Sequence, residues 1–185
     1  HMLMDQLQLP ALNQSLFGSP SRKEISVWFE NSKSQFSRSL LRQFVELVTL
    51  QANGKTPKVA IVTAGGDEPF ADADLYEQLF GQLDVEPLWL PLDAAFLYAQ
   101  KENQGTKDNP YCRDLEVYRQ QQLGRFHRDR IYPDRAEVQL ALCREPEKLR
   151  ALLHSAHGVF FVDGDASRVR RALIHADGQP SDWLT

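Results

Sequence analysis

Residues 58 to 69 read KVAIVTAGGDEP, and their first half carries the fold class. Val59, Ala60, Ile61 and Val62 are apolar at consecutive positions rather than alternately. That is the pattern of a strand covered on both faces, as in a parallel sheet sandwiched by helices. Ala64-Gly65-Gly66-Asp67-Glu68-Pro69 comes next as a loop. A helix is expected from about Asp72 to Leu83, with Leu75, Leu79 and Phe80 turned inward. Asp72 and Asp74 suit its positive N-terminal end. Val85 to Leu90 is the next strand, closed by Pro91.

Upstream, residues 1 to 24 carry Pro10, Gly18 and Pro20 without any period, and are expected to form an extended lead-in. Ile25-Ser26-Val27-Trp28-Phe29 has the β-branched and aromatic content of a short strand. Phe36, Leu40, Leu41, Phe44, Leu47 and Val48 recur at three- and four-residue spacing, which is expected to gather them on one face of a helix, and Asn53-Gly54 has the character of a helix C-cap. Downstream, Asp93 to Arg135 reads as a helical insertion, with helices expected over Arg113–Leu123 and from Asp134 to Cys143. Pro146 opens a helix at a permitted first-turn position. Gly158 to Val162 is a further strand, leading through Asp163-Gly164-Asp165 into a helix with Val169, Ala172, Leu173 and Ile174. Pro180 to Thr185 has the look of the first turn of another helix. Strands alternating with helices predict βαβ units and a mainly parallel sheet. The predicted unit is an α/β domain over residues 25 to 185.

The chain has 185 residues, enough to bury a core as one domain. A net charge of -4 argues against nucleic acid as the main partner. No apolar run approaches the roughly 18 residues that cross a bilayer. Met2-Leu3-Met4-Asp5 turns polar too soon for a signal peptide, yet His1-Met2 resembles a cloning scar, so cytoplasm and periplasm both stay open. Two cysteines, Cys112 and Cys143, are too few for a disulfide scaffold. Two separate thiols are expected, with a single bridge as the alternative in an oxidising compartment.

Residues 158 to 174, GVFFVDGDASRVRRALI, carry a resemblance. They resemble the cyanophycinase/peptidase E family of serine peptidases, in which a strand ends in F-F-x-G-G-D/N-Q and a helix begins S-R/x-L. Phe160-Phe161-Val162 matches the strand, Gly164-Asp165 the second glycine and the acid, and Ser167-Arg168 with Leu173 the helix. Leu41 to Leu47 and Lys58 to Ala64 are similar to the family's first helix and following strand. Asp163 stands where the family has glycine, and Ala166 where it has glutamine. Trp28-Phe29-Glu30-Asn31-Ser32 replaces the family's Gly-Gly-Ala-Glu-Asp. No G-x-S-x-G occurs in the chain.

The resemblance implies a flavodoxin-like, class I glutamine amidotransferase-like three-layer sandwich, of which this chain is the N-terminal portion. It implies amide or isopeptide hydrolysis of β-aspartyl type, with the serine beyond Thr185 and the chain alone inactive. Gly164 would donate an oxyanion N–H and Asp165 would support the turn or the nucleophile elbow. Ala166, Ser167, Arg168 and Glu68 would border a peptide or small acidic substrate. The bland alternative for Gly164 is a glycine needed only for a sharp strand-to-helix exit. The alternative function is a binding module that has lost catalysis, as Asp163 and Ala166 suggest.

The Gly65-Gly66 loop matches no phosphate-loop pattern. His154 and His157 lack the nearby acids or thiols of a metal set, and no cofactor is expected. The basic stretch Gly124 to Arg130 is expected to be solvated. Arg168, Arg170 and Arg171 either keep a helix soluble or meet an acidic substrate group. An exposed sheet edge and helix face are expected to bring self-association, or a missing C-terminal half, over them.

Overall fold

The computed structural model describes residues 22, 25–27, 29–31, 34–102, 109–123, 128–181 and 183. Most of the predicted lead-in and residues 124–127 of the basic stretch lie outside them.

The chain enters through a single 3-10 turn, Phe29–Asn31, and helix α1, Gln35–Ala52. Ser34 caps α1 by accepting from the Ser37 N–H, and Asn53 leaves it in a left-handed conformation at φ 47°. The strand expected over residues 25 to 29 is absent among the described residues. The Gln82 side chain takes its place as partner, donating to the Val27 carbonyl and accepting from the Phe29 N–H. A side-chain amide thus satisfies backbone groups that a neighbouring strand would otherwise have to meet.

Strand β1, Lys58–Val62, is central and buried on both faces. Helix α2, Pro69–Gly81, links it to β2, Glu86–Leu90, which pairs parallel from Lys58 opposite Glu86 to Val62 opposite Leu90. Strand β3, Gly158–Phe161, pairs parallel on the other side, Val59 opposite Gly158 and Val62 opposite Phe161. The sheet is therefore all parallel, in the order β2-β1-β3. On one face Val59, Ile61 and Phe80 meet Phe44 and Val48 of α1. Here β3 passes so close to α1 that a Cβ on Gly158 would lie 2.6 Å from Val48 Cγ2.

The other face is covered by the chain between β2 and β3 and by the helix after β3. This layer comprises α3 (Ala94–Glu102), a 3-10 turn (Pro110–Asp114), α4 (Leu115–Leu123), α5 (Arg128–Ile131), α6 (Pro133–Arg144), α7 (Pro146–Ser155) and α8 (Ala166–Leu173). The expected helices between Asp93 and Arg135 are present. They are built into the core: Ala95, Phe96, Ala99, Cys112 and Leu115 pack in one cluster with Ala60, Val62 and Leu90.

Cys112 and Cys143 form a disulfide, with Cα atoms 5.7 Å apart. This corrects the expectation of two separate thiols. The two residues are 31 apart in sequence, and only the packing of the 3-10 turn against α6 brings them together. Nor do the described residues after Pro180 make a helix. Ile174 bridges antiparallel to Pro180, and the half-buried Trp183 ring lies with its centre 6.0 Å from that of Phe96.

A buried polar network holds this layer. Arg119 is 1% exposed and Asp93 3% exposed, and the Arg119 Nε donates to Asp93 Oδ2 at 3.3 Å. Gln139 accepts from Arg119 and donates to Asp93 and to the Pro91 carbonyl. Glu116 takes a further guanidinium N–H, and the guanidinium lies 4.9 Å from the Phe70 ring centre. Removing one partner of such a pair leaves an uncompensated charge, which costs about 3–5 kcal/mol. Arg119→Ala is therefore expected to lower unfolding free energy by that amount in urea titrations. Arg42→Ala, which breaks an exposed pair with Glu30, should cost at most about 0.5 kcal/mol.

Candidate functional site

All three strands point their C-terminal ends the same way, so the segments 63–68, 91–93 and 162–165 gather at one edge. In open α/β sheets ligands bind at this edge, where successive connections leave for opposite faces. Here that reversal falls between β1 and β3, since α2 covers one face and α8 the other.

The two segments at that point touch. Asp165 donates its N–H to the Gly65 carbonyl at 2.9 Å. Gly164 has φ 151°, and a Cβ there would lie 2.0 Å from the Gly65 oxygen. Glycine is thus required by this contact between loops as well as by the turn itself. Arg168 fastens the same junction, donating to the Gly66 carbonyl at 3.2 Å and to Asp67 Oδ1 at 2.6 Å.

The predicted site residues take up different tasks at this edge. The Gly164 N–H lies there, but it donates to Asp163 Oδ1 at 2.7 Å. Serving an oxyanion would require Asp163 to let go. The Asp165 carboxylate caps α8 by accepting from the Ser167 N–H at 2.7 Å. Bonding from the Ser167 side chain and N–H, with Arg168 nearby, holds this carboxyl below the usual range. The cap already places a negative charge at the mouth of α8, so a second anion is disfavoured there. Ala166 and Ser167 are exposed on the first turn of α8, and Glu68 precedes α2 without capping it.

Asp72 is the residue whose role the sequence reading missed. Its Oδ2 is buried without a hydrogen-bond partner and sits over Gly66, 1.8 Å from where a Cβ would be. Burial, with Glu68 and Asp67 adding their repulsion, raises it from 3.8 to about 6. Its place in the first turn of α2 works the other way by about 0.3–1 kcal/mol, which is smaller than the raising effect. Tyr76, packed 5.0 Å from the Phe160 ring, feels both Asp72 and Asp163. Three acids within six residues, 67, 68 and 72, were the available signal.

A groove of about 500 Å³ opens on the flank of the same edge, between α3 and α8. Leu97, Tyr98 and Ile174 give it an apolar wall, and Lys101, Arg170, Arg171 and His175 bring basic groups to it, with Glu102 as the acid. Ser167 and Arg171 belong to it, so α8 presents one side to the sheet edge and another to the groove. Lys101 and His175 were not singled out in the sequence, because 74 positions separate them and only the packing of α3 on α8 joins them.

His154 bonds the Arg150 carbonyl, and His157 Nδ1 accepts from the Lys58 N–H at 3.1 Å. Both are structural. No cluster of metal-ligating side chains and no helix long and apolar enough to cross a membrane occurs among the described residues. Comparison of the chain with protein-family models, curated proteins and solved structures gives no significant match.

The raised Asp72 carboxyl sets a pH dependence. In the unfolded chain it ionises near 3.8, in the folded protein near 6, so between those values the folded state binds the extra proton. Stability attributable to this group is therefore complete below about pH 4 and lost as pH rises through about 6. With solvent screening of a half-exposed group, the loss is about 1–2 kcal/mol. Asp72→Asn is expected to be more stable than the parent by that amount at pH 7 and equal to it at pH 4, measured by urea unfolding at both.

Proposed function

We propose that this chain is a ligand-binding α/β unit whose α3–α8 groove takes a small acidic molecule or an acidic peptide side chain. The observation that carries this reading is the juxtaposition of Lys101, Arg170, Arg171 and His175 around an apolar wall. Guanidinium groups pair with carboxylates in two-point geometry, and the wall of Leu97, Tyr98 and Ile174 gives the ligand's carbon skeleton somewhere to lie. The sheet edge itself suits an anion less well, because Asp67, Glu68, Asp72, Asp163 and Asp165 concentrate negative charge there. On the fold we propose a flavodoxin-like, class I glutamine amidotransferase-like arrangement. The parallel order β2-β1-β3 supports it, being the beginning of the flavodoxin-like order.

One observation favours a second reading, that of a cyanophycinase-like hydrolase whose serine is supplied by sequence outside this chain. The Gly164-Asp165 turn stands at the C-terminal end of β3, beside β1, where an acyl group would meet it. In that reading Asp163 must release the Gly164 amide when substrate binds. Arg168 is committed to Gly66 and Asp67, and serves as a brace for the turn.

The two readings separate in one experiment, a nuclear magnetic resonance titration of the chain with a β-aspartyl dipeptide. Binding is expected to shift the amides of Lys101, Arg170 and Arg171 while the dipeptide stays intact. The double variant Arg170→Ala, Arg171→Ala should bind at least about tenfold more weakly, a loss of about 1.4 kcal/mol. Hydrolysis of the dipeptide by the chain would overturn both readings, since neither places a nucleophile within it. Shifts confined to residues 163 to 168, unchanged in the double variant, would move the ligand to the sheet edge.

A further inference from the structure

Helix α1 carries two apolar stripes where one would serve the fold. Leu41, Phe44, Val45 and Val48 face the sheet. Roughly 135° around the helix, at 100° per residue, lies a second row: Phe36, Leu40, Gln43, Leu47 and Leu50. These succeed one another at intervals of four, three, four and three, the spacing of a helix-pairing seam. The four hydrophobics are 77%, 57%, 63% and 74% exposed.

We propose that this row is a self-association surface, on which a second copy of the chain lays its own α1 antiparallel about a two-fold axis at Gln43. The row is close to its own mirror in sequence, one residue out of register at the inner pair. Phe36 and Leu50 each stand seven positions from Gln43, and Leu40 and Leu47 stand three and four from it. An antiparallel partner therefore sets Phe36 against Leu50 and Leu40 against Leu47, each contact made twice, as a closed two-fold interface requires. Gln43 meets Gln43, and a primary amide is both donor and acceptor, so the pair satisfies itself and fixes the register. Glu30, Arg38, Arg42 and Glu46 lie along one flank of the row, two charges of each sign.

The size of the surface sets the strength. An 18-residue helix is about 27 Å long, so the seam buries on the order of 400 Å² per copy, about half of a standard interface. The dimer is accordingly weak, with a dissociation constant on the order of 100 μM.

Sedimentation equilibrium of the full chain from about 10 μM to about 1 mM tests this. The mass is expected to rise from monomer toward dimer with concentration. Leu47→Glu, which strikes the interface twice, should hold it at monomer with the urea midpoint unchanged, since the side chain is exposed. Both native cysteines are in the disulfide, so an introduced cysteine is the sole free thiol. Gln43→Cys should cross-link to itself on mild oxidation, and an equimolar mixture of Phe36→Cys and Leu50→Cys should form the mixed dimer. Monomer at every concentration would overturn the proposal and assign the row to another occupant, such as residues 1–21. So would a dimer unmoved by Leu47→Glu, or absence of the mixed cross-link.

Discussion

The pairing of Arg119 with Asp93 is the constraint on which the helical layer over the β2 end of the sheet rests. Asp93 ends the segment leaving β2, and one of its oxygens caps α3 by accepting from the Phe96 N–H. Its other oxygen receives Arg119 from α4 and Gln139 from α6. Three helices are thus oriented by one carboxylate. Two apolar residues of equal volume would bury as well, but they would not fix the angle at which α4 and α6 meet the strand end. The groove between α3 and α8 inherits its shape from that angle, because α3 forms one of its walls.

The sheet edge obeys a different logic. Gly164 brings two loops into contact at a distance no side chain would permit, Gly66 leaves room for the Asp72 carboxylate, and Arg168 closes the contact with charge-assisted hydrogen bonds. Its negative groups then crowd one another. Asp165 spends its charge on α8, Asp163 on the Gly164 amide, and Asp72 is left without a donor for one oxygen. Packing at this point has been given priority over electrostatic comfort.

Much of the fold was legible because its decisive signals are local. The unbroken apolar run at Val59 to Val62 announced a central parallel strand, and the periodicity from Phe36 to Val48 announced a long helix. What escaped the sequence depends on distant partners. Nothing near Ile25 to Phe29 reveals that Gln82 will occupy its backbone groups. Nothing around Cys112 places it against Cys143, and Lys101 meets His175 only after two helices pack. Leu40 and Leu47 illustrate the converse error. Their spacing suggested one face shared with Leu41, Phe44 and Val48, whereas the buried stripe is Leu41, Phe44, Val45 and Val48, and the two rows separate only when the helix is seated on the sheet.

The Cys112–Cys143 bridge makes the molecule's firmness a property of its surroundings. A compartment whose glutathione pool keeps thiols reduced would leave the segment between these residues held by non-covalent contacts, the Arg119 and Gln139 network and the apolar packing of Leu115, Tyr132 and Leu142. An oxidising compartment would add a covalent clasp across the same layer, narrowing the unfolded ensemble in proportion to the loop it closes. One chain, made in two places, would have two different rigidities beneath the same ligand groove.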